Sequence, residues 1–296
     1  MTSINEPLVS IAMPVFNGAK TLEATLQSLQ NQTHRNWELL LIDDGSSDAT
    51  PSILRRENDP RIRIVIDGDR RGHGSRLNQA IEMAKGRYLA RMDQDDICFP
   101  DRLLRQVHSL EKNPMIDLLA TRALVFSDDG TIKGLFPFRQ THADICRRPS
   151  GGFYLPHPTW MGKTEWFKKF RYGGDEVIRA EDQDLLLRSY RTSTFACLDE
   201  VLLGYRQNEL PLKSVLTGRR SFRRAVVREA MRHGRYGDIP LVTLEQLAKG
   251  ILERTIAKLG LQNSLLRHRA SPVADSRLSK HWQEVWRQCT RDSRAV

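Results

Sequence analysis

Residues 8–50 read LVSIAMPVFNGAKTLEATLQSLQNQTHRNWELLLIDDGSSDAT, and this stretch decides the first unit of the fold. Its β-rich runs at residues 8–13 and 37–42 predict two strands. The second run is almost entirely apolar, as expected of a strand covered on both faces. Between the runs, Leu22, Leu26 and Leu29 recur at helical spacing. The pattern therefore predicts two parallel strands joined by an amphipathic helix.

The alternation of strand and helix patterns continues to residue 92. A short helix at residues 51–56 precedes a strand at residues 61–66, a second helix that Gly86 ends, and a fourth strand at residues 88–92. Farther along, residues 118–126 and 132–138 predict two strands joined by a hairpin turn. Residues 139–175 are expected to be irregular, and a helix is expected to begin near Asp182. The sequence predicts an α/β fold with a mixed, mainly parallel central sheet flanked by helices.

The composition is that of a folded protein rather than a disordered chain. Of the 296 residues, 40% are hydrophobic and 28% are charged. No run of about 18 apolar residues is present, so no transmembrane helix is expected. No secretory signal precedes the first strand, which predicts a cytoplasmic location. The four cysteines are widely spaced without a CxxC pair, and this spacing predicts reduced, packed thiols.

The net charge of +10 is distributed unevenly along the chain. Residues 213–296 contain 18 Lys and Arg against 7 Asp and Glu, whereas residues 1–212 contain 28 against 29. The sequence therefore predicts a nearly neutral catalytic or binding domain at residues 1–212. A basic, mainly helical C-terminal region at residues 213–296 would follow it.

Polar side chains cluster where three of the predicted strands end, at residues 14–17, 43–46 and 93–96. Because ligands of open α/β sheets bind outside the carboxyl ends of the strands, these clusters predict one site. Residues 93–96 read DQDD, and such closely spaced carboxylates suit Mg²⁺ or Mn²⁺. A solvated acidic turn that caps the next helix is the alternative. The chain has no GxGxxG after its first strand and no P-loop motif.

Three ordered motifs resemble those of the family 2 glycosyltransferases of the GT-A fold. They lie at residues 10–50, at residues 86–106 (GRYLARMDQDDICFPDRLLRQ) and at residues 180–188 (AEDQDLLLR), within a resemblance that covers residues 7–205. The resemblance implies an inverting enzyme that moves a sugar from a nucleotide-diphosphate donor, UDP-linked, to a hydroxyl acceptor in cell-surface polysaccharide or glycolipid biosynthesis. A sugar-nucleotide pyrophosphorylase is the alternative enzyme, although its Gly-rich basic loop is not found here. The basic tail is the only feature that would suggest nucleic-acid binding. This feature is too little by itself, and no nucleic-acid partner is expected.

The resemblance implies roles for the residues that would surround the nucleotide. Pro14, Phe16 and Asn17 match the segment that passes under the base, and Phe16 would stack on the base or flank it. Asp43 matches the base-binding aspartate, although an Asp-Gly turn alone would also explain that residue. Gln94 is expected in the same nucleotide-sugar site.

The metal and the general base are implied by the two later motifs. Asp95 matches the direct ligand of Mn²⁺ or Mg²⁺, and Asp93 is expected nearer the ribose while contributing to the metal site. A metal there would stabilise the charge that develops on the leaving nucleoside diphosphate. Asp182 matches the carboxylate that takes the proton of the attacking hydroxyl, whereas an N-cap role would also explain it.

Other positions are expected to face the acceptor or the diphosphate. Glu181 and His157 are candidates for this role, and a structural position in a loop is the alternative for His157. Leu77 stands where many members of the family carry Arg. Arg76 or Arg71 is therefore expected to supply the positive charge at the diphosphate.

The basic C-terminal region has two open interpretations. In the first, it is an Arg-rich cap that packs on the body or on a second subunit of a homodimer. In the second, residues 213–235 contact the anionic inner face of the cytoplasmic membrane, near a lipid-linked acceptor, with Phe222 and Val226 inserted. The side chains that would face the headgroups are Arg219, Arg220, Arg223, Arg224 and Arg228.

Overall fold

The computed structural model describes residues 6–173, 179–208, 211–258, 272–273 and 275–290. Its strands are β1 (Val9–Val15), β2 (Trp37–Asp43), β3 (Ile62–Ile66), β4 (Tyr88–Arg91), β5 (Ile97–Cys98), β6 (Leu118–Phe126), β7 (Ile132–Leu135), β8 (Met161–Lys163) and β9 (Phe195–Arg206). Its helices are α1 (Leu22–Gln30), α2 (Thr50–Arg56), α3 (His73–Met83), α4 (Arg102–Lys112), α5 (His142–Ile145), α6 (Thr164–Phe170), α7 (Glu181–Ser189), α8 (Leu212–Arg232), α9 (Asp238–Lys258) and α10 (Ser276–Thr290).

The strands of the described ranges form one sheet. The order is β3, β2, β1, β4, β8, β6, β9, β5, and β7 pairs with β6 beside β8. From β3 to β4 neighbouring strands run parallel, whereas β8 runs antiparallel to both β4 and β6. β6 and β9 are again parallel. The predicted α/β fold with a mixed, mainly parallel sheet is confirmed.

The parallel half of the sheet is covered on both faces. Every residue of β1 and β2 is buried, and successive side chains alternate between two core clusters. Ile11 packs with Leu26 of α1, whereas Ala12 lies with Leu77 of α3. Since a fully buried Leu or Ile side chain contributes about 1.5–3 kcal/mol, this double layer fixes the strands and their carboxyl ends.

Two strands that position the site lie outside the sequence prediction. Residues 139–175, expected to be irregular, include β8, which joins the parallel half to the rest of the sheet. β8 has three residues, too few for a period-2 pattern to appear. The long strand β9 is interrupted by Asp199 and Glu200, where its register with β6 shifts. These carboxylates pair with Arg122 and Arg105, so charged residues break the apolar pattern of a genuine strand.

The described part of the basic C-terminal region packs on the body. Phe222, Ala225 and Val226 of α8 are buried in the core cluster that includes Leu185 and Leu186 of α7. The interpretation in which Phe222 and Val226 insert into a membrane is therefore wrong, since both side chains face the core. None of the helices in the described ranges is long and apolar enough to cross a membrane.

The last helix closes the opposite end of the sheet. Trp282 of α10 is buried against Phe99 and Phe126, and its indole Nε1 donates to the carbonyl oxygen of Gly130 at 2.7 Å. Gly204 of β9 leaves the space that the Trp282 ring occupies. All four cysteines are free thiols and three are buried, as their spacing predicted.

Candidate active site

The carboxyl ends of β1, β2 and β4 form the floor of a cleft with two parts. The smaller part has a volume of about 230 Å³ and is lined by Pro14, Val15, Phe16, Asp44, His73, Asp93, Gln94 and Asp95. The larger part has a volume of about 800 Å³ and lies between β4, the start of α7, and helices α8 and α9. His73 and Asp93 line both parts, so the two parts adjoin. The structure thus brings the three predicted strand-end clusters together at one site.

The loop after β1 is held in place by side chains from neighbouring loops. Gln94 Oε1 accepts a hydrogen bond from the Phe16 backbone N–H at 2.6 Å, and its Nε2 donates to the Phe16 carbonyl at 2.9 Å. The Arg70 guanidinium lies 4.1 Å from the centre of the Phe16 ring. Asn17 has a left-handed backbone, and its Oδ1 accepts from the Ser47 N–H at 2.9 Å. Gln94 and Asn17 therefore orient Phe16, and Asn17 itself lines neither part of the cleft.

The two aspartates at the end of β2 have different surroundings. Asp43 is buried and accepts from the Ser46 N–H at 3.1 Å within the turn. Asp44 lines the smaller cavity, and its Oδ1 accepts from the Arg71 N–H at 2.7 Å. Asp44 Oδ2 accepts from the Gly72 N–H at 3.1 Å and retains capacity for a second donor. The carboxylate on the cavity wall is that of Asp44, one residue beyond the predicted position.

The structure gives Arg76 a different role from the predicted contact with a diphosphate. Its side chain is fully buried and lines neither part of the cleft. It donates to Asp44 Oδ1 at 3.0 Å, to both carboxylate oxygens of Asp67, to Gln79 and to a backbone carbonyl. These bonds use all five guanidinium N–H groups. Arg76 thus supports Asp44 from behind, and Arg71, the other candidate, pairs with Asp69 on the surface.

Arg91, which is buried, and His73, whose side chain is 35% exposed, form a polar pair in the cleft, and neither was singled out from the sequence. Arg91 donates to Asp93 Oδ2 at 2.5 Å and to His73 Nε2 at 3.0 Å. Because a guanidinium can only donate, His73 Nε2 is the acceptor and Nδ1 carries the proton. Burial and the Arg91 charge lower the pKa of His73 to about 4. The available signal was an arginine within the apolar run YLARM, directly before the DQDD turn.

The DQDD turn gathers carboxylates in a poorly solvated place. Burial, followed by the nearby Asp93 charge, raises the pKa of Asp95 to about 6. Burial and the two neighbouring carboxylates hold the pKa of Asp96 well above its usual range. Asp96 accepts from the Arg206 N–H at 2.9 Å, and its Oδ2 has no hydrogen-bond partner in the described residues. Mutual repulsion on this scale is what a bound cation would relieve.

The carboxylates of the DQDD turn supply part of what Mg²⁺ or Mn²⁺ requires. Among the described residues, no group of three or more His, Cys, Asp and Glu side chains could hold a metal ion. Asp93 and Asp95 nevertheless both line the smaller cavity. Mg²⁺ is usually held by one or two carboxylates and completes its shell with substrate phosphates and water. The two carboxylates fit such a shared site, and they do not form an all-protein cage.

The start of α7 carries two acidic residues into the larger part of the cleft. Ala180, just before the helix, has a left-handed backbone with φ of +62°, a conformation that costs energy for a residue other than glycine and often marks functional sites. Glu181 Oε1 lies 4.0 Å from His73 Nε2. Burial and the adjacent Asp182 raise the pKa of Glu181 to about 7. Asp182 lines the same cleft.

The Asp182 carboxylate is oriented by its neighbour in the helix. Asp182 Oδ2 accepts from Gln183 Nε2 at 3.1 Å. Gln183 is itself fixed, because its Oε1 accepts from the Phe153 N–H at 2.8 Å. A carboxylate held by a fixed partner and facing a cleft has the geometry expected of a general base.

His157 lies on the wall of the larger part of the cleft. Its Nε2 lies 2.8 Å from the Tyr172 hydroxyl, and its ring packs edge-on against Trp160. Burial, with smaller contributions from Arg91 and His73, holds the pKa of His157 well below its usual range. The imidazole is therefore neutral and lines the larger part of the cleft.

Helices α8 and α9 supply the outer wall of the larger part. Ser214, Val215, Gly218, Arg219, Phe222, Gln246 and Lys249 line it. In the membrane interpretation, Arg219 was expected to face lipid headgroups. Its guanidinium donates instead to Glu253 Oε2 and to Gln246 Oε1, each at 2.9 Å. The basic C-terminal region is thus part of the site.

Comparison with known proteins gives a consistent result. Residues 10–171 match the family model described as glycosyl transferase family 2. The uncharacterized glycosyltransferase MJ1057 of Methanocaldococcus jannaschii is 30% identical over 209 residues, which are 69% of this chain and 72% of that protein. The UDP-Glc:alpha-D-GlcNAc-diphosphoundecaprenol beta-1,3-glucosyltransferase WfgD of Escherichia coli is 37% identical over 144 residues. That match covers 49% of this chain and 57% of WfgD.

Solved structures of similar fold include S. aureus TarS. For TarS 1–349 in complex with UDP-GlcNAc, the TM-score is 0.60 at 17% sequence identity, with 96% of this chain and 81% of that chain covered. For the complex with UDP, the TM-score is 0.58 at 19% identity, with 78% and 70% covered. At this identity the likeness concerns the fold, which is the GT-A fold of glycosyltransferases.

Proposed function

Since this chain belongs to glycosyl transferase family 2 and is a glycosyltransferase, we propose that it transfers a sugar from a UDP-linked donor to a hydroxyl acceptor with inversion at the anomeric carbon. The observation that carries the proposal is that the two parts of the cleft adjoin, with His73 and Asp93 lining both. A donor in the smaller part would present its sugar to an acceptor that approaches beside Asp182. Family membership leaves the pyrophosphorylase alternative without support.

The nucleotide would occupy the smaller part of the cleft. Phe16 offers a ring at its edge, and Asp44 Oδ2 retains acceptor capacity for an N–H of the base. This geometry favours Asp44 over Asp43 as the base-binding carboxylate. The two TarS structures contain UDP and UDP-GlcNAc, which supports a uridine nucleotide here.

Mn²⁺ or Mg²⁺ would be held by Asp95 and Asp93 together with the donor diphosphate. When bound, the metal would neutralise charge that accumulates on the leaving diphosphate. Arg91 holds Asp93 by a 2.5 Å hydrogen bond and keeps its carboxylate oriented toward the cavity. Arg91, rather than Arg76, is the buried positive charge at this point, since it lines the larger part of the cleft.

Asp182 would act as the general base. An alcohol is a weak nucleophile near neutral pH, so a carboxylate that takes its proton as the new C–O bond forms lowers the barrier. The bond between the anomeric carbon and the UDP oxygen breaks in the same displacement, and the electron pair leaves with UDP. Glu181, with a pKa of about 7, would be partly protonated and would hydrogen-bond the acceptor.

The acceptor would be a saccharide linked to a lipid diphosphate, in the synthesis of a cell-surface polysaccharide. WfgD acts, by its name, on a GlcNAc-diphosphoundecaprenol acceptor, and this supports the acceptor class. The outer wall of the larger part carries Arg219 and Lys249, and each is already paired with a carboxylate of α9, so the acceptor class is supported by the relative alone.

The test is metal-dependent release of UDP from a panel of UDP-sugars in the presence of a GlcNAc-diphosphate-lipid acceptor. Asp182→Asn is expected to lower kcat by roughly 10²- to 10⁴-fold, while the Kd for UDP stays near its wild-type value. Asp199→Asn, an equivalent change on the exposed bulge of β9, is the matched control and should leave kcat unchanged.

Two results would overturn parts of the proposal. Full activity of Asp182→Asn, together with a large loss in Glu181→Gln, would transfer the role of the base to Glu181. Failure of the wild-type protein to bind UDP or any UDP-sugar, with or without Mn²⁺, would reject the donor class.

A further inference from the structure

Helix α9 has its apolar side chains on the outside. Five large apolar residues are between 49% and 69% exposed. They are Leu241, Leu244, Leu247, Ile251 and Leu252. At 100° per residue they fall on one face of the helix, a continuous stripe about three turns long. We call this stripe the outer face of α9.

The opposite face of the same helix buries polar residues together with one apolar residue, Val242. Gln246 and Glu253 are buried there, beside Gly250, and both accept hydrogen bonds from Arg219 of α8. A helix at the edge of a protein normally turns its apolar face to the core and its polar face to water. The reversed arrangement indicates that an apolar environment contacts the outer face when the protein functions.

The surroundings of the outer face are strongly basic. Helices α8 and α9 pair as a hairpin (residues 211–258) that contains eleven Lys and Arg against four Asp and Glu. A groove between the two helices is lined by Arg223, Arg224 and Arg232, together with the apolar Met231 and Ile239. Met231 is itself exposed. The hairpin therefore exposes apolar side chains on α9 and carries guanidinium groups in the groove that borders Thr243, the residue before Leu244.

We propose that the α8–α9 hairpin docks on an anionic phospholipid surface through the outer face of α9 and the arginines of the adjoining groove. Such a surface offers both an acyl region for leucines and phosphates for arginines. A second copy of this chain would bring two basic hairpins together, and like charges would oppose that contact. The docking surface differs from the one expected from the sequence, because Phe222 and Val226 are buried on the opposite side.

The α8–α9 hairpin also forms part of the cleft wall, so docking would fix where the cleft lies relative to the lipid surface. Ser214, Gly218 and Lys249 of the same hairpin line the larger part of the cleft. Because the outer face of α9 points away from the cleft, docking would hold the cleft on the inner side of the hairpin, about 10 Å from the headgroup layer, the width of one helix. The docking itself does not depend on the proposed function, since it is measured without turnover.

The experiment is co-sedimentation of the full chain with vesicles of phosphatidylglycerol and phosphatidylcholine, compared with pure phosphatidylcholine. We expect binding to the anionic vesicles that weakens as salt is raised from low to high concentration. Leu244→Glu/Ile251→Glu should weaken binding by at least about tenfold. The two new carboxylates would have to move from water into the apolar part of the membrane interface as charged groups. Met115→Glu, at a position 80% exposed on the body, is the matched control and should bind like wild type.

A second pair of variants tests the charge without touching the leucines. Arg224→Glu/Arg232→Glu should weaken binding by at least about tenfold at low salt, while Lys112→Glu on the body should not. Circular dichroism and gel filtration with light scattering accompany each variant. The proposal is overturned if the wild-type chain does not bind anionic vesicles at low salt. It is equally overturned if the wild-type chain is a dimer that Leu244→Glu/Ile251→Glu converts to a monomer without changing vesicle binding.

Discussion

The parallel half of the sheet and helix α9 bury different kinds of residue. Strand β2 places Leu39, Leu40 and Leu41 inside two apolar layers, whereas α9 buries Gln246 and Glu253 and exposes its leucines. The first region is stabilised mainly by burial of apolar area. In the second, hydrogen-bonded polar groups face the cleft, and the apolar outer face of α9 is exposed to solvent. The difference teaches that hydrogen-bonded polar groups, and not only buried apolar area, hold α9 against α8.

The largest contrast is expected from the same substitution made in both regions. Leu40→Ala should lower the free energy of unfolding by about 3 kcal/mol, because the buried site leaves a cavity. Leu244→Ala, on the outer face of α9, should change it by less than about 0.5 kcal/mol. Urea unfolding followed by circular dichroism measures both values. Equal losses would mean that the outer face of α9 is covered within the chain itself.

The polar face of the hairpin provides the next test. Glu253→Gln should cost about 2 kcal/mol of stability, because the buried Arg219 guanidinium loses its charged acceptor. Glu245→Gln, on the same helix, removes a carboxylate that pairs with the more exposed Arg148 and Lys249. It should cost less than about 0.5 kcal/mol. If the two variants lose stability to the same extent, the buried ion pair does not organise the hairpin.

A smaller effect, with a defined pH dependence, is expected at Glu181. Its pKa is raised in the folded protein to about 7, so between pH 4.5 and 7 the folded state binds more protons than the unfolded state. Stability from this group is therefore lost as the pH rises through that window. Glu181→Gln should be as stable as wild type near pH 4.5 and more stable by roughly 1.5 kcal/mol at pH 8, about half of what the full shift would give, because the side chain is 20% exposed and partly screened by water. Thermal unfolding at a series of pH values measures the difference, and a constant difference would contradict the raised pKa.

Sequence patterns predicted the regions where local and tertiary preferences agree. Apart from the two-residue strand β5, the strands between residues 8 and 126 followed from sequence patterns, because each carries an apolar run that packs in or against the core. β8 and β9 did not follow. The first is too short for a pattern, and Asp199 and Glu200 of the second pair with arginines on other elements.

The candidate site shows the same division. The motifs correctly identified the three strand ends and the acidic start of α7 as parts of one cleft. They did not distinguish Asp43 from Asp44, because adjacent residues at a strand end point in opposite directions and the turn decides which one faces the cavity. Arg76 was expected at the diphosphate, but its guanidinium donates hydrogen bonds to Asp44 and Asp67 instead. Arg91 also lines the cleft, although it lies in β4 within an apolar run, where sequence alone predicts a structural role.

The sequence by itself determined the family, the α/β architecture and the residue types of the site, because repeated apolar spacing and strand-end motifs are local properties of the chain. Tertiary structure decided which carboxylate and which arginine face the cleft. It also decided that the basic C-terminal region forms one wall of the cleft. These outcomes depend on which charges lie opposite one another after folding, and sequence spacing does not record the distance between Arg219 and Glu253.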